Sequence, residues 1–153
     1  KAGEYDEIKR RLEVIRRTGK LTGLCSHSPR VIEYAEEHKW DVDFYMLSLY
    51  NLSKIDRVSS DMSGKPNIGE PFDEEDRELA YKTIKAINKP FLVFKVLGAG
   101  RRCQSSETVE AALTETFRNI KETDMVVVGM FPKYKDQVYE NVKIVERILG
   151  NQD

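Results

Sequence analysis

Three short clusters hold the residues best suited to chemistry, and each follows an apolar run. The first is Cys25-Ser26-His27-Ser28-Pro29. A hydroxyl and an imidazole ahead of a helix N-terminus suit a polar ligand. The same residues also suit a helix start, with Ser28 as N-cap and Pro29 at the first helical position. Cys25 is expected in the core, because a nucleophilic thiol needs a base placed beside it. The second cluster is Gly98-Ala99-Gly100-Arg101-Arg102. Its glycines let backbone approach a ligand closely, and its N–H groups and guanidinium groups could together hold an anion. A tight turn with solvated arginines is the plainer alternative. GAG is not GxGxxG, and no acidic residue stands where a dinucleotide fingerprint needs one. The third is Gly129-Met130-Phe131-Pro132-Lys133. His27 and His38 are far apart and have no third ligand at metal spacing, so no metal site is expected. No Ser/His/Asp set can be assembled, so no catalytic residue is assigned within this chain.

The elements that must position these clusters follow from hydrophobic period. Helices are expected over Tyr5–Lys20, Pro29–Lys39, Asp73–Asn88, Ser106–Lys121 and Asp136–Leu149. The last carries Val138, Val142, Val145 and Leu149 on one side. Strands are expected over Leu21–Ser26, Asp43–Tyr50, Phe91–Leu97 and Met125–Gly129. The order α-β-α-β-α-β-α-β-α means an α/β fold of four parallel strands joined by helical crossovers. Such a set is either a small doubly wound sheet or half of a (β/α)8 barrel, which needs about 250 residues when whole. A leading helix with no strand before it and the absence of an initiating Met favour the half barrel, as part of something longer or as a processed product. If so, the last two strands are the seventh and eighth, whose loops often form phosphate sites. Gly98, Gly100 and Gly129 would then converge on one phosphate. The connection Asn51–Phe72 is far longer than the usual crossover loop. It reads as a substrate loop or an insertion on the strands' C-terminal face.

The whole chain, 1–153, reads as one domain: 153 residues, 33% charged and 40% hydrophobic. A net charge of -1 gives no general attraction to nucleic acid. No apolar run approaches the ~18 residues of a membrane span. Two cysteines make no disulfide scaffold, so a reducing, cytoplasmic setting is expected.

The strand ends resemble the C-terminal half of the aldo/keto reductase family. Gly19-Lys20, Gly23 and Ser26-His27 are similar to the family's GK-x-x-G-[VF]-S-[NH] entry to the fifth strand. Leu49-Tyr50-Asn51 resembles the Q-x-x-YN end of the sixth. Phe94–Arg101 (FKVLGAGR) resembles the MKPLGGG segment of the seventh. Gln137-Val138-Tyr139-Glu140-Asn141, after Val128-Gly129-Met130, resembles the R-x-x-EN helix after the eighth. The resemblance implies a cofactor, NAD or NADP. Ser26 and His27 would meet the nicotinamide carboxamide, and Phe94 would stack on its ring. Lys95, Gly98, Gly100 and Arg101 would lie by the pyrophosphate. Gly129, Met130 and Lys133 would line the adenosine side, with Gln137, Glu140 and Asn141 at its far end. Leu47 replaces the family's nicotinamide-binding Gln. Gln137 replaces the Arg that grips a 2′-phosphate, which puts NADP preference in doubt.

The family's catalytic Asp, Tyr, Lys and His come from the first four strands, which this chain lacks. The reading is therefore the cofactor-binding half of an NAD(P)-dependent oxidoreductase acting on a small carbonyl or alcohol. Its expected partner is the missing N-terminal half barrel or a second copy of the chain. Two alternatives stand beside it: a non-catalytic or degenerate half barrel, and the phosphate-binding half of another barrel enzyme such as an isomerase or lyase.

Overall fold

A computed structural model describes residues 2–53 and 72–150, with no side-chain detail before residue 5. The expected long connection therefore lies, apart from its ends, outside the described residues. The order is α1 (Ala2–Arg16), β1 (Gly23–Ser26), α2 (Pro29–Glu37), β2 (Phe44–Ser48), α3 (Glu74–Ala86), β3 (Phe91–Phe94), α4 (Ser106–Asn119), β4 (Met125–Val126) and α5 (Gln137–Gly150). The strands form one parallel sheet in the order β1-β2-β3-β4.

Sequential order is what a barrel wall requires, whereas a doubly wound sheet reverses order at a switch point. The burial pattern agrees. Leu24, Tyr45, Leu47, Phe91 and Val93 point to the helices and are buried. The opposite face carries the register row Cys25, Met46, Leu92 and Met125, and no helix among the described residues covers it. The sheet is therefore covered on one side only, as the wall of half a barrel is. Cys25 departs from the core placement expected of it: it lies on this uncovered face and is exposed. Partial desolvation there still pushes its thiol pKa up, away from a ready thiolate.

Local chemistry explains the joints. Arg16, in the last turn of α1, reaches the entry to β2, donating to Asp41 (2.9 Å) and Asp43 (2.8 Å). That guanidinium and the Thr22 N–H hold the Asp43 carboxyl below its usual pKa. Tyr5 of α1 stacks on Tyr34 of α2 at 4.3 Å between centroids. A Cβ at Gly23 would lie 2.3 Å from the Phe44 ring, so a larger residue there requires that ring to shift.

Two strands are shorter than their apolar runs. β3 leaves the sheet at Lys95, which takes a left-handed φ of 61°. Among the described residues β4 pairs with β3 alone, and its ladder ends with the Val127 N–H to Val93 O bond (2.8 Å) and not at Gly129. The apolar stripe of α5 is also less covered than its spacing implies. Val138, Val142 and Leu149 are 47–50% exposed, because the stripe faces the side of the sheet where β4 ends it.

Candidate functional site

The site lies at the C-terminal ends of the strands, where the loops of a barrel gather. Beyond β3 the chain runs through Lys95 into a 3-10 turn at Gly98–Gly100. Ala99 and both glycines have positive φ there, 51° at Ala99, 57° at Gly98 and 93° at Gly100. Opposite this turn run the residues after β4, from Gly129 to Phe131. Between them opens a groove of about 630 Å³, with Met46, Phe94, Met130 and Phe131 giving it an apolar and aromatic lining. A smaller, polar cavity of about 260 Å³ sits between the N-terminal ends of α4 and α5, lined by Ser105, Lys135, Gln137, Glu140 and Asn141. Leu97, Cys103, Gly129 and Gln137 line both cavities, so the two adjoin.

Most of the residues singled out from sequence meet along this path, in different ways. Phe94, Lys95, Gly100, Gly129, Met130 and Gln137 line the groove. Gln137, Glu140 and Asn141 line the polar end. His27 stands beside the groove, its ring 5.3 Å from that of Phe94. Ser26 is occupied locally: its Oγ accepts from the Ser28 N–H at 2.9 Å and donates to Ser28 O at 3.1 Å. That turn starts α2, and Ser28 itself makes no side-chain cap bond. Lys133 lies outside both cavities, with its ammonium 5.4 Å from the Tyr134 ring centroid.

The glycine-arginine turn differs most from its expected use. The Gly98 N–H donates to Lys95 O (2.8 Å) and the Gly100 N–H to Leu97 O (3.1 Å). These donors serve the turn, so its glycines offer clearance to a ligand rather than hydrogen bonds. Gly98 sits below the groove, where an added Cβ would lie 3.4 Å from Tyr50 Oη, whereas at Gly100 and Gly129 it meets nothing within 4 Å. Arg101 lies over the Phe72 ring at 3.8 Å instead of lining a cavity. Arg102 pairs with Glu115 at 2.8 Å and with Glu74. The guanidinium groups thus brace the wall rather than face the groove.

What holds this wall is a residue that the sequence reading passed over. Arg77 of α3 is 1% exposed. It donates to Val96 O (3.2 Å), Tyr50 Oη (3.3 Å), Tyr81 Oη (2.9 Å) and Glu115 Oε1 (3.1 Å). Its head thereby ties the end of β2, the end of β3 and α4 together beneath the turn. Tyr81 also exchanges a hydrogen bond with Thr116 at 3.1 Å, and burial pushes its phenol pKa up to about 12. Neighbouring Asp76 is buried and accepts the Asn51 N–H at 3.1 Å. The run Asp73-Glu74-Glu75-Asp76, which reads as a simple complement to the helix dipole, is thus partly a buried joint. Its mixed charge looks like a solvated face; the one local cue is the spacing of Arg77 and Tyr81, one turn apart.

Among the described residues no group of three or more His, Cys, Asp and Glu side chains could hold a metal ion. Nor is any helix among them long and apolar enough to cross a membrane. Scans against protein-family models, curated proteins and solved structures find no match to the chain.

Proposed function

We propose that the groove binds a nicotinamide adenine dinucleotide, and that the chain is the cofactor-binding half of an aldo/keto reductase-like barrel oxidoreductase. The observation that carries this reading is the adjacency of the two cavities. An aromatic-walled groove suited to a flat ring lies beside a pocket with polar groups suited to a nucleoside, and Gly129 lines both. In this reading the nicotinamide lies on Phe94 beside His27. The pyrophosphate crosses between Gly100 and Gly129 near Lys95, and the adenosine enters the pocket at Gln137, Glu140 and Asn141. The residues fit such a ligand because the backbone at Gly100 and Gly129 has open space beside it, with nothing within 4 Å of where a Cβ would stand. The chemistry that the bound dinucleotide supplies is hydride transfer to or from a carbonyl or alcohol carbon. This chain orients the ring and shields one side of it; the proton donor comes from strands outside the chain.

The uncovered apolar face and the edges at β1 and β4 call for a complement. Five helices are present among the described residues. Two copies would bring twice that number to a wall that holds eight. Four strands with only the three crossovers between them fill the wall, so a missing half barrel fits better than a second copy.

Calorimetric titration with NAD, NADP, AMP and nicotinamide mononucleotide tests the reading. The expected result is a dinucleotide bound at least about tenfold tighter than either half, a difference of about 1.4 kcal/mol. Binding of small sugar phosphates without either dinucleotide would instead favour a phosphate-binding half of an isomerase or lyase. Binding of neither class would contradict both.

A further inference from the structure

We infer that Gln137 is a positioning residue: by holding the backbone of Phe131 it sets the aromatic wall against which the nicotinamide end of the ligand rests. The inference rests on the dinucleotide reading and deepens it. Gln137 Oε1 accepts the Phe131 N–H at 2.7 Å. The bond joins the first residue of α5 to the chain six residues earlier, and so closes the connection from β4 to α5 into a loop. Pro132 follows Phe131 directly, which fixes φ at the proline and biases Phe131 toward extended backbone. The rest of the loop is braced by its own side chains. The Phe131 and Tyr134 rings meet edge-on at 6.2 Å, and Lys135 Nζ reaches Glu140 Oε2 at 2.6 Å.

Position makes this bond matter to binding. Gln137 lines both cavities, and Phe131 lines the aromatic groove with Phe94. Phe131 is 64% exposed, so its ring keeps its place in the groove wall through the backbone tie rather than through burial. An N–H can pair only with the oxygen of a side-chain amide, so the bond also fixes which way the Gln137 amide lies and leaves its NH2 as a donor. Gln137 thereby serves both ends of one ligand: its oxygen holds the wall of the groove, and its NH2 is left for the adenosine end. Gln137 and Phe131 both lie outside the buried core, so substitutions at either should fold normally.

Calorimetric titration with NAD and AMP separates the two roles. Gln137→Met removes both the acceptor and the NH2. Its NAD affinity should fall about fivefold further than its AMP affinity, the size of one ordinary hydrogen bond. AMP reports the direct contact at the polar end, and the excess on NAD reports the wall. Gln137→Glu keeps an oxygen for the Phe131 N–H and should show no excess. The excess should also vanish when Gln137→Met is made in a Phe131→Ala chain, because the bond then holds no ring. Amide hydrogen exchange gives an independent reading: the Phe131 N–H should exchange faster in Gln137→Met than in the unmodified chain or Gln137→Glu. An excess below about twofold in Gln137→Met, or one that persists without the Phe131 ring, with NAD still bound by the unmodified chain, would overturn the role of Gln137 and leave the dinucleotide reading standing. Failure of the unmodified chain to bind NAD would overturn both.

Discussion

Gly129→Val is expected to abolish dinucleotide binding without disturbing the fold. A Cβ at Gly129 meets nothing within 4 Å, and its φ is not in the left-handed region. The folded chain should therefore accept the side chain with a stability change within about 0.5 kcal/mol, as at ordinary surface positions. Gly129 lines both cavities, so an isopropyl group there is expected to crowd a ligand that passes from one to the other. A ligand spanning the two would have to leave one of them. The expected loss in NAD affinity is about 100-fold or more, roughly 2.8 kcal/mol. AMP, which needs only the polar end, should lose far less. Gly98→Ala gives the contrasting case. Its left-handed φ of 57°, which strains any residue with a Cβ, should destabilise the chain. Thermal melts separate the two variants, and calorimetry reads the binding. A Gly129→Val chain that keeps unmodified affinity for NAD would place the ligand elsewhere.

The largest stability effect is expected at Arg77. Its carboxylate partners are partly solvated, with Glu115 37% and Glu74 65% exposed, so the ion pairs themselves contribute little. The buried contacts decide the outcome. Arg77→Met would leave Val96 O without its donor, and would leave Tyr50 Oη with Glu74 and Tyr81 Oη with Thr116. At about 1–3 kcal/mol for the carbonyl left unsatisfied and about 1 kcal/mol for each hydroxyl bond lost, the loss should reach about 2–5 kcal/mol. Glu115→Gln, which keeps an acceptor for Arg77, should cost less than about 1 kcal/mol. Urea denaturation measures both. A cost below about 1 kcal/mol for Arg77→Met would mean that the arginine does not hold the wall.

The sequence carried the alternation of strands and helices well, because each crossover leaves both a period change and a turn. It carried the ends of strands poorly. The apolar run through Val128 looks like strand, but pairing stops at Val126, since β3 turns away at Lys95 and an edge strand cannot outlast its partner. Exposure was equally hidden. Met46 and Leu92 have the side chains of a core, and only the sheet's order and one-sided cover reveal that their face lies open. At the site, the glycines and the Gln137–Asn141 stretch stood out by residue type; Gly100, Gly129 and Gln137 line one groove, and Glu140 and Asn141 line the cavity beside it. Cys103, which lines both cavities, carries no comparable mark. Arg77 is hidden for a different reason. In a helix rich in Glu, Asp and Lys, a buried arginine differs from a solvated one only through residues far away in sequence, such as Tyr50 and Glu115.

The central claim is that one extended ligand lies from Phe94 to Asn141. Its most direct test is amide chemical-shift mapping of the nitrogen-15-labelled chain as NAD is added. The account predicts saturable shifts at Gly100, Gly129, Gln137 and Glu140 with a single common dissociation constant, and none across the α2 surface around Val31 and Tyr34. Shifts confined to one of the two cavities, or fitted by different constants at Gly100 and Glu140, would contradict it.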